Sequence, residues 1–466
     1  MKRPNILFIM TDDHTPREMS SYGNPLLQTP NLDRIGNEGT RFNQCCTTNA
    51  LCAPARATVL TGCFSHVHGI RGNSELADAV EVFDPSVVTF PEVLQAAGYH
   101  TGLFGKYHIR QNPRGFDTWV IHPGQGEYFD PVFIDNGKQV KKQGYASDIT
   151  TDMALDFLKG LNDTQPFCLV YQFKAPHRPF SPPDRHAHLF DDVDIPEPAT
   201  FDDDYSTRQI AAAAQDMKFD VSIAGDYDDL PPELDQADRK KWIYQRFMKD
   251  RYRTITAVDE NVGRVLDYLD EAGLADDTVV IYTSDHGYFL GDYGWYDKRF
   301  MYEPALKIPL VIRYPRLKQP GNVSNALVMN VDFAPTILDL AGVDVPNAMQ
   351  GESLRPVLEG REVDWRKSVY YAYYENSWVL HGQGDDAMAE PYQYFTPHRI
   401  GPHRGVRTEQ YKLIEYYGEG DYWEMFDLKS DPNELKNVYC DPHYSEIVTE
   451  LKRELQRLRH QYGDLE

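Results

Sequence analysis

Residues 5–13 read Asn5-Ile6-Leu7-Phe8-Ile9-Met10-Thr11-Asp12-Asp13, an apolar run that stops on two consecutive carboxylates. A run this short and this uniformly apolar fits a strand buried on both faces, as strands of parallel sheets are. The construction recurs along the chain. Apolar runs at 99–104, 167–173, 278–283 and 308–313 alternate with helical periodicity at 30–38, 54–61, 89–97, 148–159, 241–272 and 332–341. The alternation predicts an α/β protein with a large, mostly parallel sheet sandwiched by helices. Ligands gather at the carboxyl ends of such strands, and the loops there carry Asp12-Asp13, Lys106-Tyr107-His108, Lys174-Ala175-Pro176-His177 and Asp285-His286.

Past residue 365 the texture changes. Val369–Tyr374, Gly405–Thr408, Tyr411–Ile414 and Met425–Leu428 read as short antiparallel strands, followed by a helix from about 443 to 460. We expect a catalytic domain over 1–360 and a smaller α+β subdomain over 361–466. Residues 180–240, rich in proline and aspartate with little periodicity, read as a long surface excursion beside the mouth of a site. The stretch 376–401, with Gly382-Gln383-Gly384-Asp385-Asp386, follows no familiar pattern.

Bulk properties narrow the partners. A chain of 466 residues with a net charge of -24 is a poor ligand for nucleic acid, and any anion site in it must be a local positive island. Six cysteines in this length do not make a disulfide framework. No apolar run approaches the roughly 20 residues of a membrane span. The opening Met1-Lys2-Arg3-Pro4 runs directly into the first strand, so the chain as written is expected in the cytoplasm, or in the periplasm or outside the cell if an export signal was trimmed.

The residue types point to chemistry. In Cys52-Ala53-Pro54-Ala55-Arg56, Pro54 suits a helix's first turn, where its missing N–H costs nothing. Cys52 then stands at a helix start, where orphan N–H groups favour an anion, with Arg56 one turn on. A structural cysteine before a proline-initiated helix fits the same residues equally well. Asp12, Asp13 and Asp285 suit a hard divalent cation such as Ca²⁺, although Asp pairs also serve as caps and turns; His286 is a less typical calcium ligand, which leaves Mg²⁺ or Mn²⁺ as alternatives. Lys106 and His108, at alternate positions of an extended segment, point the same way. His177 sits between prolines, and Lys298 follows Trp295-Tyr296-Asp297.

Taken in chain order, these elements resemble type I, formylglycine-dependent sulfatases of the alkaline phosphatase superfamily. The resemblance rests on Cys52-x-Pro54-x-Arg56 with Thr61-Gly62, Gly105-Lys106-x-His108, Pro176-His177, Asp285-His286 and Lys298. It implies an alkaline-phosphatase-like fold and oxidation of Cys52 to formylglycine by a maturation enzyme. It also implies a metal held by Asp12, Asp13, Asp285, His286 and the residue made from Cys52. Arg56, Lys106, His108, His177 and Lys298 complete the implied catalytic set. Lys106 and Lys298 lie on sulfate, His108 beside the nucleophile, and His177 with Lys298 at the leaving oxygen. Gly291–Glu303 and the tail segments 402–408 and 423–428 look most like bacterial carbohydrate sulfatases of the N-acetylglucosamine-6-O-sulfatase type, so a sulfated saccharide is the expected substrate. His403 and Arg404 are candidate sugar contacts or, on an equal footing, a structural turn. Two other readings share the residues: a phosphonate monoester or phosphodiester hydrolase of the same fold, and a silent binder of sulfated glycans.

Overall fold

The computed structural model describes residues 2–73, 81–162, 165–208, 210–317, 320–375, 400–417 and 422–465. Ten strands form the main sheet, in the order Asn322–Ser324, Thr40–Phe42, Leu310–Arg313, Thr278–Ser284, Asn5–Thr11, Phe167–Gln172, His100–Gly105, Thr118–Ile121, Val132–Asp135 and Lys138–Lys141. The five from Thr278–Ser284 to Thr118–Ile121 run parallel. On either side the sheet turns antiparallel, because the chain returns from Ser284 to Leu310 and from Ile121 to Val132 without a long crossover helix. The sheet is therefore parallel at its centre and mixed at its flanks.

Period-two alternation splits the central strand between two helical layers. Ile6, Phe8 and Met10 pack with Ala53, Ala57, Phe90, Leu94, Phe333 and Ile337 from helices Cys52–Thr61, Phe90–Ala96 and Phe333–Leu340. Leu7 and Ile9 face Leu32, Ile35, Ala154, Val258 and Val262 from helices Pro30–Asn37, Ala146–Lys159 and Gln236–Glu271. The last of these is 36 residues long and starts at Asp235, whose carboxylate caps the N–H of Asp238.

Strands Ser368–Tyr373, His403–Thr408, Tyr411–Tyr416 and Tyr422–Asp427 form a separate antiparallel sheet, packed against helix Ser445–Tyr462. Its core is not closed. Val369, Tyr371, Val406, Leu413 and Phe426 share one apolar cluster with Tyr293, Trp295, Phe300 and Tyr302 of the main body. Residues 180–240 differ from the expected surface excursion: Ile195, Phe201, Met217, Phe219 and Ile223 are buried in that same cluster. They escape a periodicity reading because they pack through irregular backbone, anchored where the N–H of Phe219 bonds the carbonyl of Gly294 and that of Tyr296 the carbonyl of Met217. The motif Gly382–Asp386 lies outside the described residues.

Candidate active site

The carboxyl edge of the parallel strands converges on Cys52. Consecutive strand residues point to opposite faces, so Asp12 and Asp13 share a pocket only if the strand stops before Asp13. It does: Asp13 takes a left-handed φ of 67°, a region that aspartate tolerates better than most residues. Cys52 opens the helix Cys52–Thr61, two residues earlier than the expected start, and is fully buried. Its sulfur lies 3.6 Å from Oδ1 of Asp12 and 3.4 Å from Nε2 of His286. Burial, with Asp12 beside it, pushes the thiol well above its ordinary range, so the unmodified side chain is no thiolate nucleophile.

Arg56, one turn along, ties the edge together. It donates to Oδ2 of Asp12 at 2.8 Å, Oδ2 of Asp285 at 3.0 Å, the carbonyl of Lys106 at 2.5 Å and Oε1 of Gln172 at 3.0 Å. Lys106 reaches Oδ2 of Asp12 at 2.5 Å and Oε1 of Gln125 at 2.6 Å. Its approach depends on Gly105 at φ 107°, where a Cβ would lie 1.7 Å from the carbonyl oxygen of Gln172. Lys298 donates to Oδ1 of Asp13 at 2.7 Å. Burial opposes the charge on Asp12, yet Lys106 and Arg56 hold it well below the usual carboxylate range. Burial likewise opposes the charge on Lys298, and Asp13 more than offsets it, so this ammonium keeps its proton.

The donors present suit a divalent cation. One ligand atom each from Asp12, Cys52, Asp285 and His286 falls within a 4.8 Å span, and a second such group joins Asp12, Asp13 and His177. Oδ2 of Asp13 is buried without a hydrogen-bond partner, an expensive state for an isolated carboxylate oxygen. Nδ1 of His286 donates to the carbonyl of Gly287 at 3.0 Å, which leaves Nε2 as the lone-pair nitrogen turned toward Cys52.

The other two histidines are held neutral. His177 donates from Nδ1 to the carbonyl of Arg178 at 2.8 Å, and its Nε2 stands 3.9 Å from Asp13. Burial first, and Lys106 next, hold it well below its ordinary range. His108 sits at φ 58° with a buried Nδ1 that has no partner, and the same two causes keep it uncharged.

Residues 403 and 404 stand apart from this cluster. His403 is fully buried among Phe300, Tyr371, Tyr373 and Tyr416, with Nδ1 on the carbonyl of Gly401, and Arg404 is paired with Glu415 at 2.6 Å. Strand alternation turns His403 into the aromatic core of the smaller sheet. Sequence reasoning passed over Gln172 and Gln125, and named Lys174 in its loop without giving it a role. Gln172 and Lys174 had a signal, as polar residues at the end of a wholly apolar strand; Gln125 had none.

Comparison with known proteins agrees with this geometry. The family model described as "Sulfatase" matches residues 4–343, and one described as "N-sulphoglucosamine sulphohydrolase, C-terminal" matches 381–461. An N-acetylglucosamine-6-O-sulfatase of Bacteroides thetaiotaomicron is 43% identical over 99% of this chain and 87% of its own length. An N-acetylglucosamine-6-sulfatase of Homo sapiens is 31% identical over 94% of this chain and 81% of its own. The solved structure of BT4656 with its substrate D-glucosamine-2-N,6-O-disulfate superposes with a TM-score of 0.90 at 42% identity, covering 100% of this chain and 99% of that one.

Proposed function

The chain belongs to the sulfatase family and hydrolyses carbohydrate sulfate esters, and we propose that the ester it cuts is the 6-O-sulfate of an N-acetylglucosamine-type sugar. The observation that carries the reading is the seat of Cys52, buried between cation-type donors on one side and Arg56, Lys106 and Lys298 on the other. Sulfatases generally work with formylglycine and a divalent metal. Here Cys52 would be the formylglycine precursor, and Asp12, Asp13, Asp285 and His286 would hold the cation, with calcium the choice for so carboxylate-rich a set. Formylglycine would supply a carbon bearing two hydroxyls, and the cation would supply stabilisation of negative charge. Because Cys52 is fully buried, a formylglycine-generating enzyme would have to act on it before the chain folds.

The remaining work falls to side chains with defined protonation. A sulfate ester is a monoanion, so attack at sulfur needs fixed positive charge around its oxygens. Lys106 and Lys298 supply it, and both are already held in place by carboxylates. Lys298 keeps its proton and is the standing donor for the leaving sugar oxygen. His177 is neutral with its hydrogen on Nδ1, so Nε2 becomes a donor only when a bound anion draws a proton there. His108, neutral and with Nδ1 unspent, is the base on the other side.

The test is sulfate release from N-acetylglucosamine-6-sulfate beside 2-, 3- and 4-sulfated sugars and a phosphonate monoester, using protein co-expressed with a formylglycine-generating enzyme. Mass spectrometry of the peptide containing residue 52 accompanies it. Release from the 6-sulfate, abolished in Cys52→Ala, is expected. A converted residue 52 with no release from the 6-sulfate refutes the assignment.

A further inference from the structure

Each of three buried cations around Cys52 has a carboxylate as counterion. Arg56 pairs with Asp12 and Asp285 at 2.8 and 3.0 Å, Lys106 with Asp12 at 2.5 Å, and Lys298 with Asp13 at 2.7 Å. A fourth cation breaks the pattern. Lys174 leaves the same edge of the sheet, two residues past the strand Phe167–Gln172, and is only 3% exposed. Its ammonium donates to the carbonyl of Arg178 at 3.2 Å and lies 4.9 Å from the ring centre of Tyr128. Among the described residues no carboxylate pairs with it, and two of its three N–H donors have no protein partner.

The charges that Lys174 feels are those of the site. They are, in order of strength, Lys106, Asp12, Asp13 and Cys52. His177 and His122 feel it in turn, and His122 is a buried imidazole whose two ring nitrogens lack partners. The carbonyl of Arg178 and the face of Tyr128 hold one side of the ammonium. Burial and Lys106 draw Lys174 down to about 7, as expected for a buried ammonium without a counterion. Such a charge is costly to keep in a fold unless something outside the fold answers it.

We propose that Lys174 is a further substrate-binding residue, whose ammonium takes an oxygen of the sulfate group being cut beside residue 52. The inference rests on the reading of that pocket as the sulfate site. It divides the cations by role: Arg56, Lys106 and Lys298 are neutralised in the free protein, whereas Lys174 waits for the substrate's own charge. The position is reinforced by Tyr128, which carries Lys174 on its ring and donates its hydroxyl to the carbonyl of His177 at 2.6 Å, so both residues approach the substrate from one support.

The experiment compares Lys174→Met, which keeps the stem and drops the charge, with Lys174→Arg, which keeps the charge. Both are made in the matured, metal-loaded protein. Calorimetry measures Kd for inorganic sulfate, and kinetics give kcat and KM on N-acetylglucosamine-6-sulfate. Loss of one charge-assisted hydrogen bond predicts sulfate binding about 10- to 100-fold weaker in Lys174→Met, a raised KM, and Lys174→Arg within about threefold of the unaltered protein. In sulfate-free buffer Lys174→Met melts no lower than the unaltered protein, because an unanswered buried charge has been removed. Unchanged sulfate affinity in Lys174→Met overturns the proposal. So does a defect confined to D-glucosamine-2-N,6-O-disulfate with the monosulfated sugar unaffected, since Lys174 would then serve a second sulfate. A lowered melting temperature with unchanged sulfate affinity makes it a structural lysine and overturns the proposal equally. Sulfate binding is read without turnover, so a protein that cuts no 6-sulfate refutes the substrate assignment and still reports on Lys174.

Discussion

Arg56→Met is the perturbation that most directly tests how the site is held together. Arg56 is about 1% exposed and makes contacts with Asp12, Asp285, Lys106, Gln172 and Thr11. Breaking a buried ion-pair network by removing one partner costs about 3–5 kcal/mol, mostly from the charge left behind. The structure says which charge that is. Asp12 still has Lys106 at 2.5 Å, but among the described residues Asp285 keeps no lysine or arginine, only the hydroxyl of Ser284, the backbone N–H groups of Asp13 and His286 and the ring of His286 at 3.5 Å. At about 2.1 cal/mol/K per residue, a 466-residue chain unfolds with an entropy near 1 kcal/mol/K, so the melting temperature should fall by about 3–5 °C. Calorimetry in chelator removes any contribution from a bound cation, and Cys52→Ser serves as the inactive control that melts normally. The decisive comparison is Arg56→Met with Arg56→Met/Asp285→Asn. If the stranded carboxylate is what costs, neutralising it should restore about 1–3 kcal/mol, even though two side chains are now altered. A double variant that melts as low as the single one, or lower, would refute the reasoning.

Three further outcomes are expected. His177→Ala should lose far more turnover on sugar sulfates than on an activated aryl sulfate, which needs no proton at its leaving oxygen; equal losses in parallel assays would remove the acid role. Because Asp12, Asp13 and Asp285 are already paired with Arg56, Lys106 and Lys298, chelation should abolish turnover while the fold persists. A cation present at about 100 times its Kd adds only about 2.7 kcal/mol, a melting shift of about 3 °C by scanning calorimetry, and unfolding at 25 °C in chelator would contradict the ledger. His68 is buried with Nδ1 accepting the N–H of Ile70 and Nε2 on the hydroxyl of Thr58, and burial, then His66, lower it to about 3. Its stabilising contribution is therefore fully present above about 6.5 and is lost as pH falls from there through 3, with about 3 kcal/mol gone by pH 4. Denaturant titrations at pH 7 and 4 should show a smaller pH loss in His68→Gln than in the unaltered protein.

What could be read in advance follows from which signals are local. Four of the five parallel strands, and the antiparallel Leu310–Arg313 beside them, are short apolar runs with turn residues at their ends; the fifth, Thr118–Ile121, is four residues long and only half-buried at its start, and was not read. Loop residues at carboxyl edges are few enough to name. Cys52, Arg56, Lys106, Asp12, Asp13, Asp285, His286 and Lys298 were therefore visible before any geometry. The remaining flanking strands were not. Thr40–Phe42 and Asn322–Ser324 are three residues each, and Lys138–Lys141 is exposed throughout, so none carries a hydrophobic period. Burial of Ile195, Phe201, Met217, Phe219 and Ile223 was invisible for a related reason: scattered apolar residues in irregular backbone have no period, and Phe219 finds its ring partners on other elements, at Tyr244, Phe247 and Tyr296.

The protonation pattern of the site is a different kind of omission. No spacing rule indicates that the carbonyl of Arg178 places the hydrogen of His177 on Nδ1, or that Gly287 does the same for His286. Both facts come from backbone that turns back on its own side chain, and they leave Nε2 with the lone pair in both rings, so what each Nε2 faces sets its task. His286 is left with a lone pair facing Cys52, as a ligand must be, while His177 is left with a nitrogen that can donate only after it gains a proton. That gain requires negative charge in a pocket where Lys106, Lys298 and Lys174 already gather. A bound sulfate ester is the group that brings it, so the acid at the leaving oxygen is armed by the substrate it serves, and water entering an empty site finds Nε2 unprotonated.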